Sequence, residues 1–233
     1  NGSVPELGTK VKEGDIVCVD DKPVVEPTEK PVYIAFNKPI GIECTGSEKV
    51  KDNIIDFINH KERLFTIGRI DKQSEGLILL TNNGDIVNNV LRAEHKKEKE
   101  YIVTVNKKIS IEFVEKMRRG VRIMGRFTRK CHVKKIHENS FKIVLTQGLN
   151  RQIRRMCEYL GYEVTKLKRT RIMNVSLAGL PYGDWRELSS KEIETINLLL
   201  ASSSKTAEAS KDQNKGKGFG RKRTNFNIKK RKS

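Results

Sequence analysis

Asp71 is the residue of this chain best placed by its neighbours to do chemistry. It lies in the stretch GRIDKQSEGLILLTNNGD, residues 68–85, between Arg69 and Lys72 and inside a polar connector bracketed by Gly68 and Gly76. A carboxylate flanked by two cations stays ionised near neutral pH and is free to act as a base or nucleophile. The apolar runs at 64–67 and 77–80 have the length of buried strands. A short connector between two such strands holds its side chains firmly. The residues alone leave a second reading open, in which Asp71 closes a turn, as loop aspartates commonly do.

Two further places carry recognising groups. Lys99-Glu100-Tyr101 puts an aromatic ring at a strand start, where it either packs on the core edge or stacks on a nucleobase. Gln147-Gly148-Leu149-Asn150-Arg151-Gln152-Ile153-Arg154-Arg155 joins a strand to a helix that opens with three arginines in five residues. Cations at a helix N-terminus oppose the macrodipole. Arg151, Arg154 and Arg155 are therefore better explained by a phosphate or a buried carboxylate than by helix stability. Lys166, Lys168, Arg169 and Arg171 read as a solvated positive face. Cys131, His132 and His137 are the one cluster with metal-ligand chemistry, and three ligands along one strand make a poor tetrahedral cage, so no metal is expected.

The elements that must hold these groups follow from periodicity and punctuation. A strand is expected at 32–36, then a turn at Asn37-Lys38-Pro39-Ile40-Gly41, then a short helix capped by Asp52 and carrying Ile54, Ile55 and Ile58. Ile86, Val87, Val90 and Leu91 are spaced for a helix over 85–93. A strand at 101–105 precedes a helix capped by Ser110, with Phe113, Val114 and Met117 inward and Gly120 as its stop. Strands follow at 121–127, 130–136 and 141–146, the middle ones alternating apolar and basic residues, which predicts one buried face and one wet, positive face. Asn150 is expected to cap a helix over 151–160 ended by Gly161, with Ile153, Met156, Cys157 and Leu160 inward. Strands at 162–167 and 171–177 lead to a turn at Pro181-Tyr182-Gly183. Ser189 with Glu192 is a capping box opening a helix with Ile193, Ile196 and Leu200 inward. Strands outnumber helices without regular βαβ alternation, so the expected class is α+β: a mixed, mostly antiparallel sheet flanked by helices.

Charge bounds the partner. The 233 residues carry a formal +18, half of it in 205–233, where eleven Lys or Arg face only Glu208 and Asp212. The other half lies on the part that can bury a core, so basicity belongs to a folded surface as well as to a tail and points to a polyanion. Residues 203–233 are too polar to order themselves and are expected to be a basic disordered tail with a reach of roughly 30 Å. Residues 1–24 read as two short strands, one from Val11 and one at 16–19, around a Glu13-Gly14-Asp15 turn, with Pro23, Pro27 and Pro31 marking a linker. The expected organisation is 1–26, 31–202 and 203–233. No apolar run approaches the roughly 20 residues of a spanning helix, and no secretory signal pattern is present. Asn1 in place of Met is what a piece of a longer chain would show. Four cysteines without a CxxC pair fit reduced thiols in the cytoplasm. Nothing suggests an obligate dimer, and a monomer is expected.

GRIDKQSEGLILLTNNGD resembles the catalytic loop of the RsuA group of RNA pseudouridine synthases, KEYIVTV the strand bearing that group's active-site tyrosine, and QGLNRQIRRMCEYLGYEV its third motif. The three strings stand in the family's order and span most of residues 31–190. QGLNRQIRRM, LKRTRIMNVSL and the lysine-rich tail are similar to the F-type large-subunit ribosomal RNA enzymes of the group. Residues 1–24 resemble the end of the S4 RNA-binding module that precedes their catalytic domain. Ile70 stands where leucine is more usual, and Ser74 where threonine is. The resemblance implies a pseudouridine synthase fold and the isomerisation of a uridine in 23S ribosomal RNA without a cofactor. It assigns Asp71 as nucleophile or base on a flipped-out nucleotide, Arg154 as its ion-pair partner, and Tyr101 to stacking on uracil or handling the C5 proton. Ile153 would floor the pocket and Arg69 would hold a phosphate or fill the gap left by the base, while Asn150, Arg151, Gln152 and Arg155 contact RNA. A geometry follows: Asp71 within ion-pair distance of Arg154, with Tyr101 facing the same cavity. The alternatives are a tRNA or small-subunit rRNA substrate, or a non-catalytic role in ribosome assembly.

Overall fold

The structure, a computed structural model, describes residues 2, 4–6, 9–11, 14–20, 22–23, 31–84, 86–87 and 97–199. The chain divides into two compact units, Asn1–Pro31 and Val32–Ser233. In the first, β1 (Cys18–Val19) pairs antiparallel with β2 (Lys22–Pro23). The reversal between these strands includes Asp20, whose φ of 50° is left-handed; Gly14, in the expected turn, also has a positive φ of 91°. The strand expected at 16–19 is shorter, since β1 spans Cys18–Val19 and Ile16 and Val17 before it are exposed.

The second unit is built on β3 (Tyr33–Lys38) and β5 (Glu75–Thr81), which pair antiparallel with Ala35 opposite Leu79. Tyr33 and Ala35 join Leu77 and Leu79 in one core cluster, while Ile34 and Phe36 join Ile78 and Leu80 in another. Burial on both faces is why these strands read as continuous apolar runs without alternation. β4 (Phe65–Ile67) also pairs with β5. The nine-stranded sheet then runs β13 (Trp185–Glu187), β3, β5, β11 (Val164–Ile172), β6 (Lys99–Val105), β10 (Ser140–Leu145), β9 (His132–His137), with β12 (Val175–Ser176) attached to β11. Only β5 and β11 pair in parallel, so the sheet is mixed and mostly antiparallel, flanked by helices as the class predicts.

α1 (Ile54–Ile58) is capped by Asn53, whose Oδ1 accepts the Asp56 N–H at 2.8 Å. The expected cap, Asp52, lies one residue too early and instead pairs with Lys72 at 3.2 Å. α2 (Ile111–Arg119) is capped by Ser110, as expected, and packs Phe113, Val114 and Met117 inward. The run at 121–127 is not one strand but a hairpin, β7 (Arg122–Ile123) and β8 (Arg126–Phe127), because Met124 and Gly125 both take positive φ and reverse the chain. β9 is an edge strand with only Val133 buried, so the expected alternation fails at Ile136, which is exposed. Strands expected at 162–167 and 171–177 are largely one strand, β11, because the polar residues between them include a buried one, Arg169. β13, on the outer edge beside β3, carries no apolar alternation and went unread. Ser189 and Glu192 form the capping box of α4 (190–199), the Ser189 N–H donating to Glu192 Oε2 at 2.9 Å. Of the helix expected at 85–93, Ile86 and Val87 are helical and the rest lies outside the described residues, as do Leu200 and the 203–233 tail.

Candidate active site

Because β4 and β5 are antiparallel, with Ile67 opposite Leu79, the connector between them bends back over the sheet end and carries Asp71 at its bend. Hydrogen bonds from several elements fasten it. The Ser74 N–H donates to the Asp71 carbonyl at 2.9 Å and the Gly41 N–H to the Lys72 carbonyl at 2.9 Å. Arg154 Nη2 donates to the Gln73 carbonyl at 3.0 Å, and Arg169 Nη1 to the Arg69 carbonyl at 3.5 Å. Lys72, expected to flank the carboxylate electrostatically, turns away to Asp52.

Asp71 Oδ2 lies 3.8 Å from Arg154 Nε and 3.9 Å from Arg151 Nη1. Both arginines come from α3 (Gln152–Tyr159) or its N-cap. Asn150 does not cap this helix: Arg151 occupies the N-cap with φ 49° and no side-chain cap bond. Gln152 Oε1 reaches back to accept the Leu149 N–H at 3.1 Å, while Arg155 is spent on Asn150, its Nε donating to the Asn150 carbonyl at 3.1 Å. The approaches to Asp71 are longer than hydrogen bonds and act as charge attraction. Arg154 Nη1 donates to the Val164 carbonyl at 3.1 Å, so the guanidinium braces β11 and the connector together; its buried Nε, aimed at Asp71, has no hydrogen-bond partner. The Arg154 pKa is lowered, first by burial and then by the charge of Arg151, with Asp71 opposing the shift; a guanidinium remains charged throughout. Arginines at this helix start thus answer to a carboxylate and to carbonyls across the sheet.

With its side chain 28% exposed, Asp71 opens onto a cleft of about 680 Å³. Tyr101, Ile153, Arg69, Asn150, Arg151 and Gln152 line the same cleft, whereas Arg154 and Arg155 are not on its wall.

Lys38 and Arg169 are buried cations at the site that the sequence reading did not mark as buried. Lys38 is 0% exposed, and its Nζ donates to the Pro39 and Ile42 carbonyls at 2.7 Å each. Burial lowers its pKa to about 8, the attraction of Asp71 notwithstanding. Arg169, read as part of a solvated face, is 2% exposed, lines the cleft and donates from Nε to the Leu77 carbonyl at 2.6 Å. Both residues stand opposite Gly76, Lys38 from β3 and Arg169 from β11. Gly76 has φ 106°, and a Cβ there would meet the Arg169 carbonyl oxygen at 2.3 Å. A glycine inside an apolar strand was the available signal of close backbone approach.

Among the described residues no group of three or more His, Cys, Asp or Glu is placed to hold a metal, and no helix is long and apolar enough to cross a membrane. Cys131 donates to the Met117 carbonyl at 3.1 Å, and burial pushes its thiol up to about 11.

Residues 32–159 match the family described as RNA pseudouridylate synthase. The chain is 53% identical over 224 residues to the dual-specificity RNA pseudouridine synthase RluF of Salmonella typhi, covering 95% of this chain and 77% of that protein. The RluF of Escherichia coli (strain K12) is 52% identical over 224 residues with the same coverage. Ribosomal large subunit pseudouridine synthase B of Bacillus subtilis (strain 168) is 35% identical over 208 residues, covering 85% of this chain and 84% of that protein. Among solved structures, a crystal structure of a pseudouridylate synthase superimposes with a TM-score of 0.66 at 26% identity, covering 80% of this chain and 82% of the other.

Proposed function

The chain belongs to the RNA pseudouridine synthase family, and we propose that it isomerises a uridine of large-subunit (23S) ribosomal RNA, with Asp71 as the group that acts on the sugar. The reaction breaks the N1–C1′ bond, turns the uracil over, joins C5 to C1′, releases the C5 proton and protonates N1. No outside reactant is needed. Asp71 either attacks C1′ or deprotonates the sugar to assist departure of uracil, and is regenerated when the C5–C1′ bond forms. Arg154 orients it, Tyr101 stacks on the flipped uracil or handles the C5 proton, and Ile153 floors the pocket. Arg69, Asn150, Arg151, Gln152 and Arg155 hold the surrounding RNA, directly or, for Arg155, through Asn150. Pulling a base from its stack costs a few kcal/mol, which these contacts and the basic surface offset.

The observation that carries this reading is one carboxylate, 3.8 and 3.9 Å from two arginines, opening on a cleft that also presents an aromatic ring. Residues 31–202 are assigned to catalysis, 1–26 to the end of an S4-like RNA-binding module, and 203–233 to a basic tether for RNA. The name of the B-type relative supports a ribosomal target, and the words "dual-specificity" in that of RluF support a second RNA substrate, for which tRNA is the candidate. The test is tritium release from 5-tritiated 23S transcript and from bulk tRNA. The wild type releases tritium from the 23S transcript; Asp71→Asn binds it within about twofold of wild type yet releases none. Tritium release retained by Asp71→Asn overturns the assignment, and mapping pseudouridines in cellular RNA with and without the gene identifies the site.

A further inference from the structure

The hairpin β7–β8 has no part in the site described above, yet it is built like a platform. Its base is fixed: Ile123 is buried in the core cluster that includes Ile153 and Met156 of α3. Thr128 and Val121 exchange two hydrogen bonds at 3.0 Å, the Thr128 N–H to the Val121 carbonyl and the Val121 N–H to Thr128 Oγ1. Its outer part leaves large apolar side chains exposed. Phe127 is 71% exposed and Met124 55% exposed, with Arg122, Arg126, Arg129 and Lys130 exposed around them. No acidic residue occurs between Gly120 and Lys135.

The hairpin also touches the rim of the cleft. The Arg129 N–H donates to Gln147 Oε1 at 3.0 Å, and Gln147 lines the cleft that holds Asp71. A rigid ribbon of arginines around a bare aromatic ring is the composition that stacks bases and neutralises phosphates of an unpaired strand. Positive charge with no acid beside it favours a polyanion over a protein face.

Resting on the pseudouridine synthase reading, we propose that β7–β8 is a docking platform for the single-stranded RNA flanking the target nucleotide, with Phe127 stacking on a base and Arg122 and Arg126 on phosphates. The test is binding of the full chain to a labelled 23S transcript across a salt series. Phe127→Ala should raise Kd roughly five- to hundredfold, and Phe127→Trp should keep it within about twofold of wild type. The double variant Arg122→Ala, Arg126→Ala should make the slope of log K against log salt shallower by about 1.4. Ile111→Ala, which removes an even more exposed apolar side chain from the start of α2, should leave Kd unchanged. The proposal is overturned if Phe127→Ala and the double variant leave Kd and slope at wild-type values, or if Ile111→Ala loses as much as Phe127→Ala. Binding is read without turnover, so a wild type that binds but releases no tritium would refute the enzymatic reading and leave the platform to be judged by its own numbers.

Discussion

At the scale of single residues, Arg154 combines two contacts. It faces Asp71 at 3.8 Å and, through donors to the Gln73 and Val164 carbonyls, fixes the connector that carries Asp71. Lysine supplies a charge but not the planar fork, so Arg154→Lys should lose the second contact while keeping part of the first. A catalytic group displaced by about 1 Å costs on the order of a hundredfold in rate. Arg154→Lys is therefore expected to lower the single-turnover rate of tritium release by about that factor, with Kd for the RNA changing only a fewfold. If Kd rises as far as the rate falls, Arg154 is an RNA contact and not a positioning group. The helix-start arginines were legible as a group because cations there are electrostatically misplaced unless something else holds them; only the family resemblance singled out Arg154 among them. Arg169 was illegible because its neighbours Lys166, Lys168 and Arg171 are ordinary surface cations, and nothing local distinguishes the one that turns inward.

At the scale of elements, three strands close tightly on one another at the end of the sheet beneath Asp71. Gly76 lets β3 and β11 close on β5, and a methyl group at 2.3 Å from the Arg169 carbonyl has no flexible neighbour to displace. Gly76→Ala is expected to destabilise the fold by about 3 kcal/mol or more, read by urea denaturation, because φ strain and backbone overlap add. Lys38 beside it offers a prediction in pH. Its folded pKa of about 8 lies below the ordinary value of 10.5, so between these limits the unfolded chain holds a proton that the folded one has lost. Stability then rises with pH across that window, the reverse of what a lysine gaining an ion-pair partner would give. Relative to Lys38→Met, the wild type should gain on the order of 1–3 kcal/mol between pH 8 and 10.5; a parallel pair of stability curves would show that Lys38 is not desolvated. The elements themselves were readable where one cause dominated: Ser110 at a cap, Ser189 with Glu192 in a capping box, continuous apolar runs at β3 and β5. They were misread where a turn or a buried charge interrupted a run, as at Met124-Gly125 and Arg169, since both depend on contacts remote in sequence.

At the scale of the whole molecule, charge sets how RNA is approached. Strand count and missing βαβ alternation were enough to reach a mixed α+β sheet domain, because class follows from the sum of many weak signals. Strand order was not reachable, since nothing local says that β11 inserts between β5 and β6 and meets β5 in parallel. That insertion brings the Asp71 connector, Tyr101 of β6 and the start of α3 to one cleft. Charge is different in kind, being additive and long-ranged, and the eleven cations of 205–233, less Glu208 and Asp212, leave half of the formal +18 there. If those residues hold RNA, each phosphate they neutralise releases counterions and adds roughly 0.7 to the slope of log K against log salt on a single strand. A chain ending at residue 204 should therefore show a slope shallower by a few units and a Kd that converges on the wild-type value as salt rises, because screening removes the tail's contribution first. The Asp71 cleft lies elsewhere in the chain, so the single-turnover rate at saturating RNA should be retained. Filter binding over a salt series together with tritium release reads both quantities. A slope unchanged by the truncation would make the tail a bystander and transfer the whole electrostatic approach to the folded surface, where Arg151 and the β7–β8 arginines would have to supply it.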